Sequence, residues 1–301
     1  MSFKDGTSFV TGVIKEKGIC CVYSVDDALN ATDPDHTFFS IYKKREWLRI
    51  SDEPLEWSVT SSAWVTLPLK QSVGLGRYGT VYFAGGGDAH EEVVRDGENS
   101  IASRGLLCHV RAIDGKAYAV GMDRQVYRRD DANTWTCIDT GCRPKKKGKI
   151  VGFMCIDGFN ANDIFAAGVG GDLWHSDGTN WTKIDVPTNL ILQNIVCAGD
   201  GKVYICGQMG LLIVGRGDTW TVIEHGVTED AFWGIAWFKD KLYLSTMNEV
   251  YVWDGNALKP VAWGKDRPDT CYHLTACPDE MWSIGAKDLM AFDGTKWKRI
   301  E

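Results

Sequence analysis

One short pattern recurs along the chain: a tryptophan, two residues, an isoleucine and usually an acid. It stands as Trp47-Leu48-Arg49-Ile50-Ser51, Trp135-Thr136-Cys137-Ile138-Asp139, Trp181-Thr182-Lys183-Ile184-Asp185, Trp220-Thr221-Val222-Ile223-Glu224 and Trp297-Lys298-Arg299-Ile300-Glu301. The last four tryptophans are 46, 39 and 77 residues apart, and the final interval is close to twice the one before it. Self-similarity near 40 residues marks stacked supersecondary units, each too small to bury its own apolar face.

A second mark precedes the tryptophan. It is a β-prone run with an aromatic inside: Val22-Tyr23-Ser24, Val81-Tyr82-Phe83, Ala117-Tyr118-Ala119, Ile164-Phe165-Ala166, Val203-Tyr204-Ile205, Leu242-Tyr243-Leu244 and Met281-Trp282-Ser283. That makes seven units, two of which have replaced the tryptophan, with Ser100 and Leu258 near its place. Hairpin-turn chemistry stands before the aromatic run at Asp114-Gly115, Asp200-Gly201 and Lys239-Asp240. It stands before the tryptophan at Asp96-Gly97, Asp177-Gly178, Asp254-Gly255 and Asp293-Gly294. Asp-Gly accommodates the positive φ that short hairpin turns need. Each unit therefore reads as four antiparallel strands: A, B (the aromatic run), C and D (the tryptophan run). Four-stranded units of this length predict an all-β fold, a seven-bladed β-propeller of four-stranded antiparallel blades. The expected organisation is a single domain over 1–301, with blades near 1–54, 55–104, 105–142, 143–186, 187–226, 227–263 and 264–301. Closure is expected through face packing between blades, without a shared strand. The repeated aromatics are expected as core between blades rather than as a ligand stripe, since burying one ring contributes roughly 1.5–3 kcal/mol.

Composition narrows the function classes. A formal net charge of −7 argues against direct nucleic-acid binding, which wants a basic surface. The run Arg143-Pro144-Lys145-Lys146-Lys147-Gly148-Lys149 is the local exception and reads as a solvated loop between blades. No apolar stretch approaches the roughly 20 residues of a membrane span, and the N-terminal residues lack the apolar core of a secretory signal. The ten cysteines show no zinc spacing and fall mostly in apolar strand runs. Together these point to a cytoplasmic protein with reduced thiols, no membrane association and no cofactor or metal.

Catalytic signatures are sparse. The six histidines (36, 90, 109, 175, 225 and 273) form no pair at metal-ligand spacing, and Gly85-Gly86-Gly87 follows a strand with no helix behind it. The turn Ser176-Asp177-Gly178-Thr179-Asn180-Trp181 resembles a degenerate Asp box, the C–D turn of sialidase-like propellers, and Asp293-Gly294-Thr295-Lys296-Trp297 is similar without the serine. In that family the boxes are structural. Its catalytic set includes three arginines, a Tyr–Glu pair and an Asp, with an Arg-Ile-Pro start that is missing here. The resemblance implies the fold alone, and the Gly-His and Trp-Asp pairs of WD repeats are also missing.

In such a fold the B–C loops and the D-to-A loops share one face. Asp88, Glu91, Asp123, Asp172 and Glu249 are assigned to the former, and Glu229, Asp230, Phe232, Trp233, Trp263 and Asp266 to the latter. A long segment in blade 1, residues 26–36, adds Asp33 and Asp35; its acids lack the spacing and glycine of an EF-hand calcium loop. Insertions on a repeat scaffold are where function is commonly grafted. These thirteen residues are the candidate partner-binding set, acids with aromatic anchors. The chain is similar in outline to propeller-type bacterial immunity proteins that neutralise a cognate toxin. That similarity implies a non-enzymatic inhibitor, monomeric when free, that occludes the active site of a basic and possibly nucleic-acid-cleaving toxin. The competing expectations are a glycan-acting hydrolase or lyase using a central channel, which needs carboxylates or arginines converging from A strands, and a scaffold subunit of a larger complex.

Overall fold

A computed structural model describes residues 6–30, 32, 35–50, 53–95, 101–145 and 150–301. The chain is a seven-bladed β-propeller, with seven sheets of four consecutive antiparallel strands. The strands of blades 1 to 7 span residues 7–49, 59–93, 107–137, 153–184, 192–222, 234–260 and 273–299. Among the described residues no strand passes from one sheet to another. By their contacts the blades fall into two compact units: residues 1–59 with 225–301 carry blades 1, 6 and 7, and residues 60–224 carry blades 2 to 5.

Turn chemistry acts in two ways. Asp114 and Gly115 both adopt positive φ (47° and 78°), as do Lys239 and Asp240 (47° and 58°), the geometry of a tight A–B hairpin. The C–D turns instead use aspartate as an acceptor. Asp177 takes the N–H groups of Thr179 and Asn180, and Asp293 those of Thr295 and Lys296. Ser176 Oγ accepts the Gly178 N–H, completing the box-like turn.

The core of each unit lies between neighbouring blades. In the four-blade unit, Val81, Phe83, Val110 and Tyr127 join blades 2 and 3, Tyr118, Phe153, Ile164 and Trp181 join blades 3 and 4, and Phe165, Ile195, Ile205 and Ile213 join blades 4 and 5. In the three-blade unit, Phe238, Tyr243, Phe292 and Trp297 join blades 6 and 7, and Phe9, Val22, Trp282 and Ile284 join blades 7 and 1. Blades 7 and 1 also exchange polar bonds. Phe9 N–H donates to Ala286 O (2.8 Å), Ile14 N–H to Thr275 Oγ1 (3.1 Å) and Gly18 N–H to Glu280 Oε2 (2.9 Å). Gly12 permits this approach, since a Cβ there would lie 2.7 Å from Cys21 O and 2.8 Å from Ile284 Cδ1.

The tryptophan ladder is a set of seam staples. Trp135 and Trp181 are buried, and each indole N–H reaches the end of the preceding blade's D strand: Trp135 donates to Glu92 (3.0 Å) and Trp181 to Ile138 O (2.8 Å). Trp47 donates likewise to Glu301 of blade 7 (2.8 Å). Trp297 is buried in a cluster with Phe292 and Trp263. Trp220 departs from the pattern, because its N–H turns back to Gly217 O in its own turn (2.8 Å).

Blade 2 differs from the sequence reading. Ahead of the aromatic run, residues 68–77 contain a strand B, Gln71–Gly76, buried along its whole length. The aromatic run at 80–85 is therefore strand C, and Asp88–Val93 is strand D. A glycine-punctuated segment, Gln-Ser-Val-Gly-Leu-Gly, carries a weak strand signal, since glycine offers no side chain to pack. Leu258 does open strand D of blade 6, whereas Ser100 and the Asp96-Gly97 turn lie outside the described residues.

Candidate functional site

The three-blade unit presents most of the candidate loop residues. Strand A of blade 6, Gly234–Phe238, is preceded by the segment 223–233. Phe232 is completely buried and packs edge-on against Tyr251 at 5.9 Å between centroids. Its neighbour Trp233 is 42% exposed, and its backbone N–H is held by Ser245 O (2.8 Å). Alternation along extended chain explains the pair, since successive side chains leave on opposite sides. Trp263 is also inside: its ring lies 4.4 Å from that of Trp297, and its N–H donates to Glu249 Oε1 (2.7 Å). Phe232 and Trp263 are thus apolar core in this structure and present no ring to a partner.

The acids of this unit divide by pairing. Glu249 also accepts from Arg267 (2.9 Å), and Asp266 from Arg299 (2.6 Å). Asp288, outside the candidate set, takes Arg299 together with the Asp269 N–H, the Thr270 N–H and the Thr270 hydroxyl. Burial raises the Asp288 pKa, but Arg299 and Thr270 outweigh it and hold the carboxyl below its usual range. Asp35 is exposed and accepts from Ser58 (3.1 Å), and His36 is buried with its Nε2 accepting the Asp26 N–H. Asp33 lies outside the described residues. Glu229 and Asp230 are exposed, and neither enters an ion pair among the described residues.

In the four-blade unit the acids are largely committed to neighbouring arginines. Asp172 is buried and takes a bidentate Arg124, whose guanidinium also lies over Trp174 at 4.9 Å. Asp123 accepts from Arg104 (3.1 Å), which also ion-pairs with Asp139. Asp88 and Glu91 sit on strand D of blade 2 rather than on a B–C loop, a correction that follows from the extra strand. Both are exposed; Asp88 binds His90 Nδ1 at 2.7 Å. The next acid, Glu92, stood outside the candidate set, yet it is heavily used. It accepts from Arg129, the Asn133 N–H, the Trp135 indole and His90. Burial raises its pKa, but Arg129, Asn133 and His90 outweigh that and leave it lowered. No sequence signal marks this role, because Arg129, Asn133 and Trp135 lie a full blade away. Part of the basic run, residues 146–149, lies outside the described residues; Arg143 is bound by Asp139 (2.8 Å).

Chemical potential elsewhere is limited. Among the described residues no group of three or more His, Cys, Asp or Glu could hold a metal ion, and no helix is long and apolar enough to cross a membrane. All ten cysteines are free thiols, and burial pushes Cys142 and Cys271 up to about 12. On the A strands of blades 3 and 4, Arg111 donates twice to Asp157 (3.0 and 3.1 Å), and the Cys197 N–H donates to the same carboxylate (2.9 Å). Asp157 is fully engaged in structure. Desolvation lowers His273 to about 4, against a bond to the Val10 backbone that opposes the shift. A groove of about 500 Å³ opens between the outer strands of blades 4 and 5, lined by Asp163, Phe165, His175, Arg216 and Trp220 among others.

The fold and its loops define a seven-bladed β-propeller with exposed acids on its surface. No family model matches the chain. It is 42% identical over 297 residues to the immune protein Tsi7 of Pseudomonas aeruginosa strain PAO1, covering 98% of this chain and 97% of that protein. The chain belongs to the immune-protein family that includes Tsi7. Solved structures agree on the fold. YCF48 bound to a D1 peptide matches with a TM-score of 0.67 at 12% identity, over 95% of this chain and 91% of that one. The WD40 propeller domain of Doa1 matches at 0.68 and 10% identity, over 95% and 96%. The GH74 enzyme of Niastella koreensis matches at 0.62 and 16% identity, over 97% of this chain and 54% of that one.

Proposed function

We propose that this protein is a non-enzymatic inhibitor that protects its own cell by binding a protein toxin and covering the toxin's active site. The observation that carries this reading is the 42% identity to an immune protein over almost the full length of both chains. The chemistry of the surface supports it. Asp157, Asp172 and Glu92 are bound by arginines and so are poorly placed to act as acids or bases. The exposed acids Asp35, Asp88, Glu91, Glu229, Asp230 and Asp266, on a chain of net charge −7, favour a basic partner. A basic toxin that cleaves nucleic acid fits this charge, since an acidic inhibitor can occupy the surface that phosphates would take. The inhibitor acts as a monomer in the cytoplasm, where its ten thiols stay reduced.

The test is co-expression with the products of the neighbouring genes, followed by purification of any toxin that binds. A one-to-one complex whose association rate falls steeply with added salt, and which abolishes toxin activity, is the expected result. Survival of toxin activity at saturating inhibitor would overturn the reading.

A further inference from the structure

Resting on that reading, we infer that the toxin is gripped by an apolar knuckle on blade 6, formed by Trp233 and Met247, with Glu229 and Asp230 as its acidic collar. Both side chains are exposed, 42% for Trp233 and 54% for Met247, whereas the candidate aromatics Phe232 and Trp263 of the same unit are in the core. They sit at neighbouring strand ends. Gly234 of strand A pairs with Ser245 of strand B, which places Trp233 and Met247 just beyond the paired residues.

Both are held on fixed backbone. The Trp233 N–H donates to Ser245 O, and the next residue back, Phe232, is fully buried against Tyr251 and His225. The Met247 carbonyl accepts the Cys271 N–H (2.8 Å), and Thr246 and Glu249 close the loop through Thr246 N–H to Glu249 O and Glu249 N–H to Thr246 Oγ1. The segment before Trp233 is pinned as well, by Asp230 N–H to Thr228 Oγ1. A large apolar group on rigid backbone loses little conformational freedom on binding, which is what distinguishes an affinity-carrying anchor from a contact that merely fits.

Charge defines the partner. Of the charged groups around the knuckle, Arg267 is held by Glu249, and Arg299 by Asp266 and Asp288. Lys265 and Arg267 are exposed cations, the second of them neutralised by Glu249, and Glu229 and Asp230 are exposed acids on the same loop as Trp233. The fitting occupant is a basic protein with an apolar recess rimmed by lysine or arginine. The recess takes the indole and thioether, and the rim meets the two carboxylates. Affinity then comes from the knuckle and association rate from the collar.

Calorimetry and surface binding kinetics with the toxin that co-purifies with this chain separate the two. Trp233→Ala should weaken binding at least about thirtyfold, mainly by faster dissociation. Glu229→Gln with Asp230→Asn should cost only a few-fold, mainly in association rate, and should flatten the salt dependence. Met247→Glu places a charge in the knuckle and should abolish binding while leaving the unfolding midpoint where it was. If the wild type binds and Trp233→Ala and Met247→Glu bind within about threefold of it, the knuckle is wrong and the inhibitor reading stands. If the wild type itself does not bind, both fall.

Discussion

The seam between blades 2 and 3 and the seam between blades 4 and 5 use the same tryptophan motif to opposite effect. At the first, Trp135 is buried and its N–H meets Glu92, which also holds Arg129, itself buried and stacked over Phe83 at 4.0 Å. At the second, Trp220 donates to its own turn, Arg216 stays exposed over Phe159 and pairs with Asp163, and a groove of about 500 Å³ remains. Whether a seam is welded or open depends on what the preceding D strand offers the incoming indole. Blade 2 offers the Glu92 carboxylate and blade 3 the Ile138 carbonyl, whereas Trp220 is already satisfied locally.

The largest effect should come from breaking the welded seam. Glu92→Gln strands a buried guanidinium, and removal of one partner of such a pair costs about 3–5 kcal/mol. Denaturant unfolding should show that loss, whereas Asp163→Asn at the open seam should change stability by no more than about 1 kcal/mol, as for an exposed pair. A comparable loss from both would erase the distinction. Trp135→Ala should likewise cost about 3–5 kcal/mol as a large-to-small core change, and Trp220→Ala clearly less, measured by the same titration.

A third seam, between blades 7 and 1, adds a test by pH. His273 is depressed to about 4 in the folded chain, below the value near 6.5 of an unfolded histidine. The folded state therefore binds fewer protons, and the stability linked to this residue is present above pH 6.5 and is lost as pH falls toward 4. His273→Asn should show a shallower fall of stability over that window than the wild type, followed by urea midpoint against pH. At the same seam, Glu301→Ala removes one acceptor from Trp47 and should cost about 1 kcal/mol. A loss as large as that of Glu92→Gln would mean that the indole bond, not the buried guanidinium, sets the strength of a seam.

The repeat made the seven blades legible, because Tyr118, Phe165 and Trp181 recur at positions that must face a neighbouring blade. Blade 2 was misread where glycines diluted its strand B, and Asp88 and Glu91 moved with it. Among candidate site residues, Trp233 could be picked out as an aromatic in a loop, yet Phe232 beside it looked the same. A period-two backbone sends one side chain in and the next out, and only the position of the neighbouring sheet says which. Acids were legible as acids, but Asp172 and Glu92 are consumed by Arg124 and Arg129, which stand far from them in the chain.

The sequence by itself determined the blade count and the four-strand plan, since both follow from local periodicity and turn chemistry. It also set the net charge of −7 and the ten cysteines. The tertiary structure alone decided which tryptophans staple seams, which carboxylates are spent on arginines and which side chains stay exposed. The physical reason is that burial and ion pairing are made between blades, by residues about 40 positions apart whose meeting no local pattern records.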